Sequence, residues 1–324
     1  RVLFRSRTMD HGLIIPHWDT DGILSAAAVV QSIADTPEIH IPEIGTYTIP
    51  APDISRINAQ KYKHIYILDY ALQKEIVSQL KAESITVIDH HLTLKAEGVE
   101  YCNPVADGAD PDKYPCCMAA VSEYCKEEFL LETCIAAAGD KEHKILKNKY
   151  FIPKLEKCRE KHGLGFNDLM EIKELIDSNY MTGDKSGIQE TIHIIIQHGV
   201  LSIKDSKNLH DKVKQVTSEK TKLSRIPPEK ITETIWFYDL ESQMPLLSAV
   251  TRLLSKNNPE KIIVTRLNGN VYVRRDKADL DMKPLIETGQ SQNWDIGGKA
   301  EVCGIVNCTD TMLTKILSCL QQKT

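Results

Sequence analysis

The sequence predicts an α/β chain: a parallel sheet with helices on both faces, joined by a connector helix to a smaller mixed α/β domain. Three observations predict it. Short apolar runs alternate with helical periodicity through the first part of the chain, which implies strand–helix–strand units and hence a parallel sheet. Three of those runs, residues 12–16, 64–68 and 84–88, each deliver an acid or a histidine just past their carboxyl end, the edge where an open parallel sheet binds ligands. The pattern then breaks at Pro227-Pro228, in a chain whose 324 residues suggest two domains as a prior.

Residues 12–16 (GLIIP) are short and apolar, a buried strand, and run directly into His17-Trp18-Asp19-Thr20-Asp21-Gly22. Ile23 to Ala34 reads as a helix, residues 45–49 (GTYTI) as a strand, and residues 64–68 (HIYIL) as a strand ending on Asp69. Leu72, Ile76, Val77 and Leu80 give helical periodicity over 72–82, and residues 84–88 (SITVI) form a strand ending on Asp89. Residues 116–138 read as one helix ending at Gly139-Asp140, followed by charged, mostly helical chain to about Tyr180. Ile188 to Leu223 has the mixed composition of a long exposed or bridging helix. The domains are accordingly residues 9–187, a connector over 188–230, and residues 231–324.

The second domain is read as a strand at 232–238, a helix at 245–255, and strands at 261–266 and 270–274 flanking Asn268-Gly269, a hairpin signal. A short helix near 282–288, a Gly297-Gly298 turn, a strand at 301–306 and a terminal helix at 310–321 complete it. Trp236, Phe237 and Tyr238 read as a core strand rather than a base-stacking platform.

Net charge is −5, so no global basic field advertises nucleic acid, and a polyanion must be met by a local patch or by bound metal. No apolar run is long enough to span a bilayer. The nine cysteines contain no C-x-x-C pair, which argues against a zinc ribbon and for reduced thiols in a cytoplasm, with Cys116-Cys117 as buried packing. Arg1 to Ser6 look foreign, and Met9 reads as a native start, so residues 1–8 carry no weight in the fold.

The chemistry lies in two clusters. His17, Asp19 and Asp21 stand at alternate positions, which in extended chain point the same way. Converging carboxylates repel unless cations lie between them. Oxygen and imidazole donors without thiolate suit Mn²⁺ or Mg²⁺, with Zn²⁺ or Co²⁺ also compatible. Alone, such a triplet is as well read as a solvated acidic loop; Gly22 and Ser25 sharpen it, because the helix start that follows offers amide donors to an anion. In the second cluster, Asp89-His90-His91, adjacent histidines at a strand end cannot both face the core. Asp69 and Asp140 stand at element ends as well. Trp18 either packs beneath the loop or walls the site, and His143, His193 and His198 read as helix-surface residues.

HWDTDGILSA, the Asp69 of ILDYA, the VIDHH run and the AGD of 138–140 follow, in order, the four motifs of DHH phosphoesterases. The chain resembles that family over nearly all of residues 12–308, and the first motif is more similar to RecJ-like and NrnA-like members than to family II pyrophosphatases. The resemblance implies a DHH catalytic domain and a DHH-associated domain. It implies two divalent cations, Mn²⁺ foremost, with His17 and Asp19 on the first, Asp21, His90 and Asp140 on the second, and Asp69 bridging both. Asp89 is expected to orient a neighbouring histidine, and His91 to contact the scissile phosphate or support the site. Together the cations would activate a water and clamp the attacking and leaving oxygens. Arg274 or Arg275, the Gly297-Gly298 backbone and Lys299 are expected to grip substrate phosphate; many members have histidine where Lys299 stands.

The implied activity is a phosphodiesterase or exonuclease acting on short single-stranded nucleic acid or on linear or cyclic dinucleotides. The alternatives are a pyrophosphatase, polyphosphatase or nucleotide 3′-phosphatase, and a non-catalytic RecJ-like replication scaffold. No membrane partner is expected, and a homodimer is left open.

Overall fold

In a computed structural model the chain is described over residues 11–33, 36–46, 48–91, 95–277, 281–292, 294–299 and 302–321, with Lys299 described by its backbone alone. The foreign-looking Arg1 to Ser6, the rest of residues 1–8 and Met9 lie outside this set. The chain divides into two units, Arg1–Val213 and Lys214–Thr324. Among the described residues, no helix is long and apolar enough to cross a membrane.

The first unit is built on a five-stranded sheet of β1 (Gly12–Pro16), β2 (Glu38–Ile39), β3 (His64–Leu68), β4 (Ser84–Ile88) and β5 (Glu100–Cys102), in the order β2-β1-β3-β4-β5 and parallel throughout. Successive residues of a strand face opposite sides. Leu13, Ile14 and Ile15 are all buried, so both faces of the sheet are covered, as parallel sheets require. The chain leaves β1 towards β2 on one side and then crosses to β3 on the other. The strand order therefore reverses between β1 and β3, the place where open α/β sheets form a ligand crevice.

The helices of this unit are α1 (Thr20–Ser32), α2 (Ala51–Gln60), α3 (Lys74–Val77), α4 (Cys117–Cys125), α5 (Leu130–Lys141), α6 (Ile152–His162), α7 (Phe166–Met181) and α8 (Lys185–His198), and α9 (Lys207–Ser224) begins in it and continues past Val213. Helix α1, buried all round from Ile23 to Val29 and apolar there except for Ser25, packs against α4, α5 and α8. Helix α5 packs on α7.

Three expectations are corrected here. Residues 45–49 form no strand among those described; the strand that flanks β1 on the side away from β3 is Glu38–Ile39. The Tyr70 hydroxyl lies 2.9 Å from the Thr46 carbonyl and 3.2 Å from that of Thr48, so this segment satisfies its backbone on a side chain rather than a ladder. Residues 116–138 are two helices, α4 ending at Lys126 in the left-handed region (φ 55°). Residues 188–223 are not one bridging helix. Gly199, at φ 78°, ends α8, and the buried stripe of Ile188, Thr191, Ile192 and Ile195 packs α8 into the first core.

A buried lysine fastens this helical layer. Lys212 Nζ lies 2.6 Å from both Asn179 Oδ1 and Asp184 Oδ2, and Asp184 also caps α8 by accepting from the Gly187 N–H at 2.8 Å. Partial burial alone would raise the Asp184 carboxyl, but its hydrogen bonds from Lys212, Gly187 and Ser186 together with the Lys212 charge outweigh it and lower the pKa to about 2. That stability is present above the ordinary value of 3.8 and is lost as pH falls through about 2. We expect Lys212→Met to cost about 2 kcal/mol in chemical denaturation, because it leaves two acceptors without their donor.

The second unit holds the sheet β10-β11-β9-β8-β7-β6, comprising β6 (Glu229–Lys230), β7 (Ile235–Leu240), β8 (Ile262–Leu267), β9 (Asn270–Arg274), β10 (Ile296–Lys299) and β11 (Val302–Ile305). Among its described residues, only β7 and β8 pair in parallel. Asn268 and Gly269, at φ 50° and 81°, make the two-residue turn between β8 and β9 with both residues left-handed. Its helices are α10 (Leu247–Asn257), α11 (Lys283–Ser291) and α12 (Asp310–Gln321). Leu313, Ile316 and Leu320 of α12 join Ile262, Val264, Val271 and Val273 in a second core. Gly297-Gly298 is not a turn but lies within β10, paired with Gly304 and Cys303.

Candidate metal centre

Register builds the site. Pro16, Leu68, Ile88 and Cys102 pair across β1, β3, β4 and β5 in one row. The ladder then continues by one residue, as the His17 N–H donates to the Leu68 carbonyl, Asp69 to Ile88 and Asp89 to Cys102. His17, Asp69 and Asp89 therefore share the next row at the carboxyl edge. Asn103 follows β5 on the same edge and donates from Nδ2 to the His91 carbonyl at 2.7 Å.

The first motif turns from β1 into α1 around Gly22. A Cβ on Gly22 would lie 2.4 Å from the His17 carbonyl oxygen, so only glycine lets the helix start against that backbone. Asp19 caps α1 by accepting from the Gly22 N–H at 3.2 Å. Asp21 is buried and accepts from the Cys117 and Met118 N–H groups at 2.5 and 3.0 Å, at the start of α4. Trp18 is buried and packs on His17 and Tyr70 at ring distances of 4.2 and 5.7 Å, which places it beneath the loop.

Asp69 stands at φ 55°, a conformation that non-glycine residues adopt rarely and that concentrates at functional sites. Its Oδ2 lies 4.0 Å from His17 Nδ1, which is 2.9 Å from Asp19 Oδ1. Its Oδ1 lies 3.4 Å from His90 Nε2. That nitrogen is 3.3 Å from Asp140 Oδ2, in the last turn of α5, and 4.0 Å from Asp21 Oδ2. Two donor sets result, His17–Asp19–Asp69 and Asp21–His90–Asp140, each with ligand atoms within 4.8 Å of one another, and Asp69 turns one oxygen to each. Asp89, His90 and His91 gather on the same Asp69.

No family model matches the sequence, and no curated protein matches it. Solved structures do. A DHH-domain protein, described as a member of a family of ribosomal proteins, superposes with a TM-score of 0.69 at 16% identity, over 95% of this chain and 85% of its own. RecJ from Thermus thermophilus, in complex with Mn²⁺, superposes with a TM-score of 0.61 at 15% identity, over 97% of this chain and 51% of its own. The pGpG-specific phosphodiesterase PggH from Vibrio cholerae does so with a TM-score of 0.53 at 13% identity, over 97% of this chain and 98% of its own. This is a DHH fold.

In the DHH fold of this chain the electrostatics are those of crowded carboxylates. Burial raises the Asp69 carboxyl well above its ordinary range, and repulsion from Asp21, Asp19, Asp140 and Asp89 adds to it. Burial likewise raises Asp21, reinforced by Asp140 and Asp19. Two others go the opposite way. Burial would raise Asp19, but His17 holds it well below the ordinary range. Burial lowers His17, and the Asp19 carboxylate more than reverses this. Asp89, buried and pulled down by His91, is the ionised partner, so the His91 Nδ1–H donates to it at 2.7 Å.

The donor set fits divalent cations. Asp69 Oδ1 is buried and accepts no hydrogen bond among the described residues, and a carboxylate oxygen in that position among other carboxylates calls for a cation or a proton. The converging donors described are carboxylates and imidazoles. Cys116 and Cys117 lie close by, but burial pushes both thiols up, which keeps them protonated and unsuited as ligands. Hard-to-borderline ions such as Mn²⁺ or Mg²⁺ match this set.

The residues expected to grip phosphate lie in the second unit of the DHH fold. Arg274 ends β9, mostly buried and 3.5 Å from Asp276. Arg275 donates to the Glu260 carbonyl at 3.4 Å. Lys299 pairs with Val302, which pairs with Arg274, and Gly297 pairs with Gly304, which pairs with Tyr272. Arg274, Gly297 and Lys299 therefore hold register positions on one face of the sheet, whereas Gly298 alternates to the other. Trp236, half-buried between the Lys230 and Lys261 ammonium groups, and buried Phe237 and Tyr238 form a packed strand. His143 is exposed, as a surface residue should be, and meets Phe166 edge-on at a ring distance of 5.0 Å.

Sequence reasoning missed Asn103, whose three-residue strand carries too short a pattern to register, and Asp177, which accepts two hydrogen bonds from Thr20 inside the first motif.

Proposed function

We propose that this chain is a metal-dependent phosphodiesterase acting on short single-stranded oligonucleotides or dinucleotides. The observation that carries the reading is Asp69, buried, with one oxygen towards each of two three-residue donor sets. His17 and Asp19 would hold one cation, Asp21, His90 and Asp140 the other, and Asp69 both. The fold is shared with RecJ in complex with Mn²⁺ or Mg²⁺ and with a phosphodiesterase specific for pGpG, which supports this class and Mn²⁺ as the first ion to test.

When bound, the cations supply Lewis acidity, lowering the pKa of a water and neutralising phosphate charge. The remaining work falls to side chains. Asp89 accepts from His91 Nδ1 and fixes the ring, so that Nε2, when protonated, donates to a phosphate or leaving-group oxygen. Asp89 Oδ1 also takes the His90 and His91 backbone N–H groups at 2.7 and 3.2 Å, which holds the pair rigid. In the second unit, Arg274, the Gly297-Gly298 backbone and Lys299 are the groups proposed to contact phosphate.

The test is a substrate panel with Mn²⁺: end-labelled DNA and RNA, linear dinucleotides, cyclic dinucleotides and pyrophosphate. Hydrolysis of short phosphodiesters with little turnover of pyrophosphate is expected. The reverse preference would replace the reading with a pyrophosphatase, and no metal-dependent turnover of any substrate would replace it with a non-catalytic scaffold.

A further inference from the structure

Helix α7 contains none of the four motifs, yet it contacts the segments that carry two of them. Asp177 is 2% exposed. Its Oδ1 accepts from the Thr20 N–H at 2.9 Å and lies 2.6 Å from the Thr20 hydroxyl. That hydroxyl has one proton and also faces the Lys173 carbonyl at 3.2 Å; the shorter, charged partner takes it. Thr20 is the residue between Asp19 and Asp21, so the clamp grips the peptide that connects the two donor sets.

Lys173, one turn before Asp177, completes the arrangement. Its Nζ lies 2.8 Å from Asp177 Oδ2, with the two side chains 12% and 3% exposed. A buried carboxylate with such partners is strongly held, and breaking the pair would leave an uncompensated charge. The Lys173 stem also lies against Gly139, where an added Cβ would come within 3.2 Å of Lys173 Cγ. Gly139 immediately precedes Asp140. One i,i+4 pair on α7 thus touches the loop carrying Asp19 and Asp21 and the turn carrying Asp140.

We propose that Asp177 is a positioning residue of the metal centre: through Thr20 it fixes how Asp19 and Asp21 are presented to separate cations, with Lys173 locking Asp177 and spacing the Asp140 turn. The proposal rests on the reading of this centre as a cation site. Residues that orient ligands in this way typically govern affinity by ~10–100-fold when mutated.

The experiment is calorimetric Mn²⁺ titration of the full chain as wild type, Asp177→Asn, Thr20→Val, Thr20→Ser and Lys173→Met, with the melting temperature of each metal-free protein recorded. Asp177→Asn and Thr20→Val should bind Mn²⁺ ~10–100-fold more weakly, while Thr20→Ser, which keeps the hydroxyl, should bind as wild type. In electron paramagnetic resonance the wild type should show coupled ions, and Thr20→Val a larger share of isolated-ion signal. If Asp177→Asn does not fold, Thr20→Val decides. Variants that melt earlier yet bind Mn²⁺ with wild-type affinity would make Asp177 a purely structural cap and overturn the proposal. A folded wild type that takes up no Mn²⁺ would sink the underlying cation reading before any variant is compared.

Discussion

Asp69→Asn should abolish Mn²⁺-dependent hydrolysis, by about 10³-fold or more, while leaving the metal-free fold as stable as before or more so. The activity loss follows from geometry. Asp69 offers an oxygen to each donor set, so its replacement removes a ligand from both. A loss of about 4 kcal/mol in transition-state stabilisation corresponds to that factor. The stability result follows from electrostatics. Asp69 is buried among Asp21, Asp19, Asp140 and Asp89, which add to the effect of burial in pushing its carboxyl far up, so a neutral amide of the same shape relieves repulsion. Asparagine rather than alanine is the right replacement, because residue 69 sits at φ 55° and asparagine tolerates the left-handed region far better. Turnover within about tenfold of wild type at saturating Mn²⁺, a loss of only ~1.4 kcal/mol, would refute the bridging role.

Much of this site was legible because its residues sit at the ends of elements. A parallel strand announces itself by an apolar run, and β1, β3 and β4 each stop one residue before His17, Asp69 and Asp89. Equal strand lengths and in-register pairing then place those residues in one row without further information. The alternation of His17, Asp19 and Asp21 was equally visible, although the last two belong to a cap and a first helical turn rather than to extended chain. What was hidden depends on tertiary contact. Asp177 looks like any polar residue on an amphipathic helix, and only the packed structure shows it buried against Thr20. The left-handed stop at Lys126 has no glycine to mark it. The glycine pair 297–298 mimics a turn, but pairing with Gly304 and Cys303 keeps it extended.

Metal removal should reverse the pH dependence of stability of the first unit between mildly acidic and neutral pH. In the chelated protein, Asp21 and Asp69 have folded pKa values raised well above the ordinary 3.8. Such groups favour the folded chain fully below 3.8 and lose that contribution as pH rises through the raised values, so the metal-free protein should melt progressively earlier towards neutral pH. Asp19 and Asp89 act in a different window. Their pKa values are lowered, so their stabilisation is present above the ordinary value and fails only in strong acid. Mn²⁺ competes with the protons on Asp21 and Asp69, so its affinity should fall as pH drops and its stabilising effect should be largest where the metal-free protein is weakest. At free Mn²⁺ about a hundredfold above its dissociation constant, each ion adds ~2.7 kcal/mol, which for a unit ending at Val213 corresponds to a rise of roughly 5–10 °C. Differential scanning calorimetry between about pH 5 and 8, with and without chelator, reads both slopes. A metal-free protein whose melting temperature rises with pH across that range, or one indifferent to Mn²⁺, would mean that Asp21 and Asp69 are not held as mutually repelling carboxylates, and that repulsion is what makes the cluster a cation site instead of an acidic surface.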